Sequence, residues 1–222
     1  MESRILTRQA MLEALEQRQG VWLTQRFQQA TVAVCGLGGL GSHVAQALAR
    51  SGIGRLILVD YDTVDLSNLH RQGYAVTQIG KYKTDAIRET LQAIAPYCEV
   101  VTHCVALCRE NIPALLGDAD VICECFDRAD QKAMLLDCVA ADLPASDLIC
   151  ASGMAGLGDG NAIVTRRLTQ HIWLCGDGTS DVVQQGTLYA PRVMLCAAQQ
   201  ALITLQVLAG KTDEPERKHE HE

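Results

Sequence analysis

The chain has no C-x-x-C pair, although cysteines stand at 35, 98, 104, 108, 123, 125, 138, 150, 175 and 196. A structural zinc or a disulfide framework needs ligands grouped at short, regular spacings, so neither is expected. Most of these thiols fall in apolar runs, where cysteine behaves as a small hydrophobe. A dense Lys/Arg block is also missing, and 19 basic against 26 acidic residues leave a formal net charge of -7. Broad nucleic-acid binding needs clustered positive charge, so nucleic acid is an unexpected partner. No segment reaches the roughly 20 apolar residues of a membrane helix, and Met1 to Gln29 lacks the apolar centre of a secretion signal. A cytoplasmic protein with no membrane partner is expected. Neither an internal repeat nor an interdomain linker interrupts the chain.

What is present is ordinary globular composition, 48% hydrophobic and 20% charged over 222 residues, enough for one sizeable core. Residues 3 to 29 read as helical, polar and Gln-rich. Thr31 to Cys35 is short, apolar and β-branched, hence a strand. Gly36 to Gly41 makes a glycine turn, and Ser42 to Arg50 a helix ending near Gly52. Arg55 to Asp60 is a second buried strand, and Lys83 to Ala95 a helix closed by Pro96. Glu99–Val105, Val121–Cys125 and Leu148–Ala151 are further strands with helical stretches between them. Asn161–Leu168 and His171–Cys175 resemble an antiparallel pair, and a last helix runs from about Pro191 to Leu208. Such alternation specifies an α/β fold: a Rossmann-like, doubly wound, mainly parallel sheet with an antiparallel extension and a C-terminal helix.

Gly36, Gly38, Gly39 and Gly41 form G-x-G-x-x-G between a strand and a helix, with Asp60 at the end of the next strand. Glycines let backbone N–H groups approach phosphates at a positive helix end, and the carboxylate can accept bonds from ribose hydroxyls. On this loop alone NAD and ATP fit equally well, and a tight turn without ligand is the plain alternative. The run Asp60-Tyr-Asp62-Thr-Val-Asp65-Leu-Ser67-Asn68-Leu-His-Arg71-Gln72, followed by Ile79-Gly80-Lys81-Tyr-Lys83, gathers amide and cationic groups beyond that carboxylate. A triphosphate needs such partners and a dinucleotide does not, so the counter-charge favours ATP unless Arg71 and Lys83 are ordinary surface residues.

The glycine signature, the run DYDTVDLSNLHRQ and the spacing to IGKYK together resemble the ThiF/MoeB/HesA family, bacterial relatives of ubiquitin-activating enzymes, from about residue 20 to 210. The resemblance implies an adenylyltransferase that transfers AMP from ATP, with Mg2+, to the C-terminal carboxylate of a small ubiquitin-like sulfur-carrier protein ending in Gly-Gly. It implies a nucleotide set of Gly36, Gly38, Gly39, Gly41, Asp60, Asp62, Asn68, Arg71 and Lys83, with Asp127 as magnesium ligand and Arg71, Lys83 and Asp127 as catalytic groups. Asp127, in Cys123-Glu-Cys-Phe-Asp127, could otherwise be a helix N-cap. The resemblance also implies a homodimer in which an N-terminal arginine, Arg8 or Arg18, completes the partner's site. The expected organisation is an N-terminal helical segment over 1–30, an ATP-binding adenylyltransferase domain over 31–210 and a disordered tail over 211–222.

Many family members carry two zinc-holding C-x-x-C pairs, and some place a cysteine in the loop before the final helix for a covalent step. The loop Gly176 to Gly186 has no cysteine, and Cys175 stands at its edge. Its three glycines suit a mobile cover over the carrier's tail or a plain connection. The short chain and its Ala190-Pro-Arg192-Val segment look most like the ThiF-like branch of thiamin biosynthesis. The alternatives are a molybdopterin-type carrier, a tRNA base or a peptide C-terminus as substrate, a nicotinamide-dependent oxidoreductase, and a non-catalytic nucleotide-binding scaffold.

Overall fold

The computed structural model describes residues 6–212. Seven strands form one sheet: β1 (Thr31–Cys35), β2 (Arg55–Val59), β3 (Glu99–His103), β4 (Val121–Glu124), β5 (Asp147–Ala151), β6 (Val164–Arg167) and β7 (Ile172–Gly176). Their order is β3-β2-β1-β4-β5-β7-β6, parallel throughout except for the antiparallel β6–β7 edge. The direction of strand winding reverses between β1 and β4, where open α/β sheets leave a crevice at the carboxyl ends of the strands.

Successive strand residues face opposite sides, so each of the five inner strands feeds two cores. Val32, Val34, Leu56 and Leu58 pack on one face with α3 (Gly39–Arg50), α4 (Lys83–Ile94) and α8 (Ala190–Leu208). Ala33, Cys35, Ile57 and Val59 pack on the other with α5 (Ile112–Leu116) and α6 (Ala129–Asp142). Burial on both faces is why these strands are continuous apolar runs and not alternating ones. Cys35, Cys123, Cys125, Cys138, Cys175 and Cys196 are buried in these layers as free thiols, and Cys104 is exposed.

The helical N-terminus is two helices, α1 (Arg8–Gln19) and α2 (Val21–Gln29). The break is Gly20, whose φ of 89° a helix cannot accommodate and whose N–H closes α1 on the Glu16 carbonyl. None of α1 is fully buried. Residues 3–5 of that expected helix, and 213–222 of the expected tail, lie outside the described residues. The helix after the glycine turn starts at Gly39, earlier than Ser42, because the glycine loop itself winds into the first turn. The strand expected over Asn161–Leu168 begins only at Val164: Asp159 accepts the Asn161 N–H at 2.9 Å and turns 160–162 into a 3-10 helix. The connection 177–189 contains one short helix, α7 (Val182–Gln185), capped by Asp181.

Candidate active site

The glycine loop follows β1 directly, with Gly36 at φ 91°. A Cβ there would sit 2.8 Å from the Cys125 carbonyl, so the loops after β1 and β4 touch only because this residue is glycine. Gly38 and Gly39 open α3 and line a cleft of about 360 Å³. Gly41 does not line it. A Cβ on Gly41 would collide with the Gly36 carbonyl, so this fourth glycine seats α3 on the end of β1.

Asp60, just past β2, holds the loop in shape. Its Oδ2 accepts the Leu37 N–H at 2.6 Å and its Oδ1 the Asp62 N–H at 2.8 Å. Burial raises its carboxyl above the usual range, opposed by Lys83 and by those two N–H donors. Lys83, only 5% exposed, places Nζ 2.7 Å from Asp62 Oδ2 and 3.9 Å from Asp60 Oδ2. The contact is prepared by backbone: Lys83 N–H donates to the Asp62 carbonyl at 2.9 Å, and Val64 N–H to the Lys81 carbonyl at 2.8 Å.

The segment carrying Asn68 and Arg71 is stitched to α3. Ser42 Oγ accepts the Gly73 N–H at 2.9 Å, His43 Nε2 lies 3.3 Å from the Arg71 carbonyl, and Gln46 Nε2 donates to the Gly73 carbonyl at 3.2 Å. Burial lowers the His43 pKa, against the Arg71 carbonyl, so the imidazole is neutral at physiological pH. Tyr74 Oη donates to the Leu37 carbonyl at 2.6 Å, tying this segment to the glycine loop. Asn68, Arg71 and Lys83 thereby line the same cleft as Gly36, Gly38, Gly39, Asp60, Asp62 and Asp127. No hydrogen bond or ion pair among the described residues engages the Arg71 guanidinium.

Gln72 escaped the sequence reading as a site residue. It is 7% exposed, lines the cleft beside Gly38, and its buried Oε1 has no hydrogen-bond partner. A buried polar atom without a partner is costly unless a ligand engages its carboxamide. The glycine cradle and the free guanidinium fit a polyphosphate, whereas the bare Gln72 Oε1 is an acceptor and fits a hydroxyl or N–H donor. Lys132 and Glu124 were also missed. Lys132 Nζ donates to Glu124 Oε1 and Oε2 at 2.9 and 3.0 Å and to the Ala151 carbonyl at 3.0 Å, bridging β4 and β5. Burial pushes the Glu124 carboxyl up, opposed by Lys132. Glu124 Oε1 also accepts the Phe126 N–H at 2.7 Å, which braces the turn that presents Asp127. The helix cap falls on Arg128, and Asp127 accepts no hydrogen bond among the described residues, so its carboxylate is available for a cation.

Cys175 is not part of the cleft lining. It is fully buried, near Thr165 Oγ1 at 3.5 Å, and burial pushes its thiol up to about 11, opposed by Thr165. A protonated, inaccessible thiol is a poor nucleophile. Arg8 is exposed and donates to Gln28 Oε1 at 3.3 Å, and Arg18 lies in the last turn of α1. Among the described residues no group of three His, Cys, Asp or Glu side chains could hold a metal ion, and no helix is long and apolar enough to cross a membrane.

Residues 6–221 match the ThiF family. The chain belongs to this family. Among relatives of this ThiF-family chain is the Drosophila yakuba adenylyltransferase and sulfurtransferase MOCS3, 31% identical over 208 residues, 87% of this chain and 44% of that protein. Another is the Escherichia coli molybdopterin-synthase adenylyltransferase, 30% identical over 194 residues, 84% of this chain and 76% of that protein. The chain thus spans less than half the length of the MOCS3 relatives it matches. The crystal structure of E. coli tRNA N6-threonylcarbamoyladenosine dehydratase in complex with ATP shares the fold at a TM-score of 0.82 and 21% identity, over 93% of this chain and 98% of that one.

Proposed function

We propose that this ThiF-family protein uses ATP and Mg2+ to adenylate the C-terminal carboxylate of a small ubiquitin-like sulfur-carrier protein ending in Gly-Gly, with thiamin sulfur transfer as its pathway. The observation that carries the adenylation is the grouping of Asn68, Arg71, Lys83 and Asp127 around the N-terminus of α3 in one cleft. A carboxylate oxygen attacks the α-phosphorus, the bond from that phosphorus to the bridging oxygen breaks, and pyrophosphate leaves with the electron pair. The nucleophile is already ionised, so no general base is required and catalysis is charge neutralisation plus alignment. Arg71 and Lys83 offset phosphate charge, Asp127 would hold magnesium, and Asp60 would take the ribose hydroxyls once it shares its present donors. The Cys125 thiol on the cleft wall is held protonated by burial, so direct transfer to oxygen is favoured over a covalent thiol step.

A second reading is favoured by the ATP-bound tRNA dehydratase that this chain matches over nearly its whole length. A threonylcarbamoyl group also carries a carboxylate, so the same first step would serve a modified tRNA base. The net charge of -7 weighs against a polyanionic partner. The test is radiolabelled pyrophosphate exchange with a Gly-Gly carrier, the same carrier amidated at its terminus, and tRNA bearing threonylcarbamoyladenosine. Exchange that needs the free carrier carboxylate and is lost in Asp127→Ala supports the first reading. Exchange with the tRNA alone replaces it by the second.

A further inference from the structure

Arg192 occupies the first turn of α8, where a cation opposes the helix dipole, and it is 5% exposed. Burying a charge there is unfavourable unless a partner matches it. The partner is Asp177: Nη2 donates to Oδ2 at 2.6 Å, Nη1 donates to the Asp159 carbonyl at 2.9 Å, and Nε is left without an acceptor. Asp177 gathers the loop that follows β7. Its Oδ1 accepts the backbone N–H groups of Thr179 and Ser180, each at 2.8 Å. Its own N–H donates to the Gly153 carbonyl at 2.9 Å, Gly178 N–H donates to the Ser152 carbonyl at 3.0 Å, and Ser180 Oγ accepts the Ala155 N–H at 3.0 Å. Gly153, at φ 81°, permits this, since a Cβ there would collide with the Asp177 carboxylate.

The loop is therefore sewn to residues 152–155, and one ion pair ties the seam to α8. Both sides of the seam line the cleft, through Ser152, Gly153, Met154 and Ala155 on one side and Ser180 to Val182 on the other. Within these two segments the one charged lining residue is Asp181; Lys132 stands beside them, committed to Glu124 and the Ala151 carbonyl, and Arg71 and Lys83 lie elsewhere on the lining. Side chains in these two segments offer no counter-charge for a phosphate, which suits the uncharged residues that precede a peptide's ionised terminal carboxylate.

We propose that Arg192 and Asp177 are positioning residues that hold loop 177–181 against Ser152–Ala155 and so shape the acceptor end of the cleft, governing entry of the macromolecular substrate and not nucleotide binding. The proposal rests on the adenylation reading above for its kinetic consequence, but its structural half stands without turnover.

The test compares wild type, Arg192→Lys and the double variant Arg192→Met/Asp177→Asn, which removes both charges and strands neither. Hydrogen exchange of the amides of residues 177–180 is followed, Mg-ATP affinity is titrated, and pyrophosphate exchange is measured against a recombinant ubiquitin-like carrier ending in Gly-Gly. In the double variant those amides should exchange at least tenfold faster, the Kd for Mg-ATP should stay within twofold, and KM for the carrier should rise at least tenfold with kcat within threefold. Arg192→Lys, which keeps the charge but loses the two-pronged donor, should fall between. Unchanged amide protection, or equal losses in ATP affinity and carrier KM, would overturn the proposal. If wild type shows no exchange with the carrier, the adenylation reading fails by itself, and the hydrogen-exchange and Mg-ATP arms still decide the clamp. If the double variant does not fold, the same readouts on Arg192→Lys carry the decision.

Discussion

Replacing Lys83 by Met removes the one ammonium shared by two carboxylates. At 3.9 Å from Asp60 Oδ2, the lost attraction is about 4 kcal/mol gross for an effective dielectric near 20. The contact to Asp62 is shorter, but Asp62 is half-exposed and solvent screens it, so it adds little. Asp60 keeps its two N–H donors and can protonate, so the net loss of stability should be about 2 kcal/mol, below the cost of stranding a fully buried ion. For a chain of this size that is a fall of roughly 4–8 °C in Tm. Nucleotide binding should suffer more directly. A charge-assisted bond to phosphate contributes about 1.5–3 kcal/mol, which is roughly a 10- to 150-fold weaker Kd for Mg-ATP. The stability defect has a pH signature. Folding already raises the Asp60 pKa, and removing Lys83 raises it further, because Lys83 was lowering it. A carboxyl with a raised folded pKa contributes stability below its unfolded pKa, and that contribution is lost as pH rises through the folded value. On acidification from pH 8 to a lower pH still above the unfolded carboxyl pKa of about 3.9, Lys83→Met should therefore regain more stability than wild type does. Thermal melts at the two pH values and calorimetric titration of Mg-ATP at pH 8 are the assays. A variant that melts within 1 °C of wild type and binds Mg-ATP within threefold at pH 8 would refute the reasoning.

Mg-ATP should raise Tm by mass action and NAD should not, so a shift with NAD alone would return the protein to the nicotinamide-dependent class. Cys175→Ala should leave pyrophosphate exchange nearly unchanged, because adenylation happens at oxygen and phosphorus; an inactive but folded variant would restore a thiol step. Two-fold homodimers are expected by light scattering at micromolar concentration, with activity lost in Arg8→Ala or Arg18→Ala; an active monomer would contradict a shared site. Burial tends to raise the Asp177 carboxyl, but hydrogen bonds from Ser180 and Thr179 outweigh it and hold the group at about 2. Its contribution is present above the unfolded pKa of about 3.9 and lost as pH falls towards 2, so the drop in urea midpoint between pH 5 and pH 3 should be smaller in Asp177→Asn.

The strands and the glycine loop were legible because their signals are local. Thr31 to Cys35 is apolar at every buried position since both of its faces are covered, and the glycines follow within the same stretch. Helix and strand ends were less legible, because a single polar side chain decides them: Asp159 turns the chain at Asn161, and Gly20 divides what the Gln-rich composition made look continuous. Side-chain pairings across the fold left no trace. Lys132 falls in one of the helical stretches between strands, and only the β4–β5 pairing brings Glu124 and the Ala151 carbonyl to it. Arg192 and Asp177 meet across a whole loop.

These pairings also rank the cations around the cleft by what each must give up to meet a phosphate. Lys132 has three protein acceptors in place and a partner carboxylate that is 1% exposed, so drawing it away would strand a buried charge. Lys83 is intermediate, since its nearer partner Asp62 is half-exposed and water can take over that carboxylate when the ammonium turns to the nucleotide. Arg71 gives up nothing among the described residues, and its backbone is already fixed by His43 and by the Ser42 contact to Gly73. A free guanidinium on an anchored backbone loses less conformational freedom on binding than one on a loose loop. Arg71 should therefore make the first phosphate contact and Lys83 the second. It follows that Arg71→Met should weaken Mg-ATP binding without the change in Tm or the pH dependence expected of Lys83→Met, and a melt lowered as much as in Lys83→Met would show that Arg71 is also engaged in the free protein.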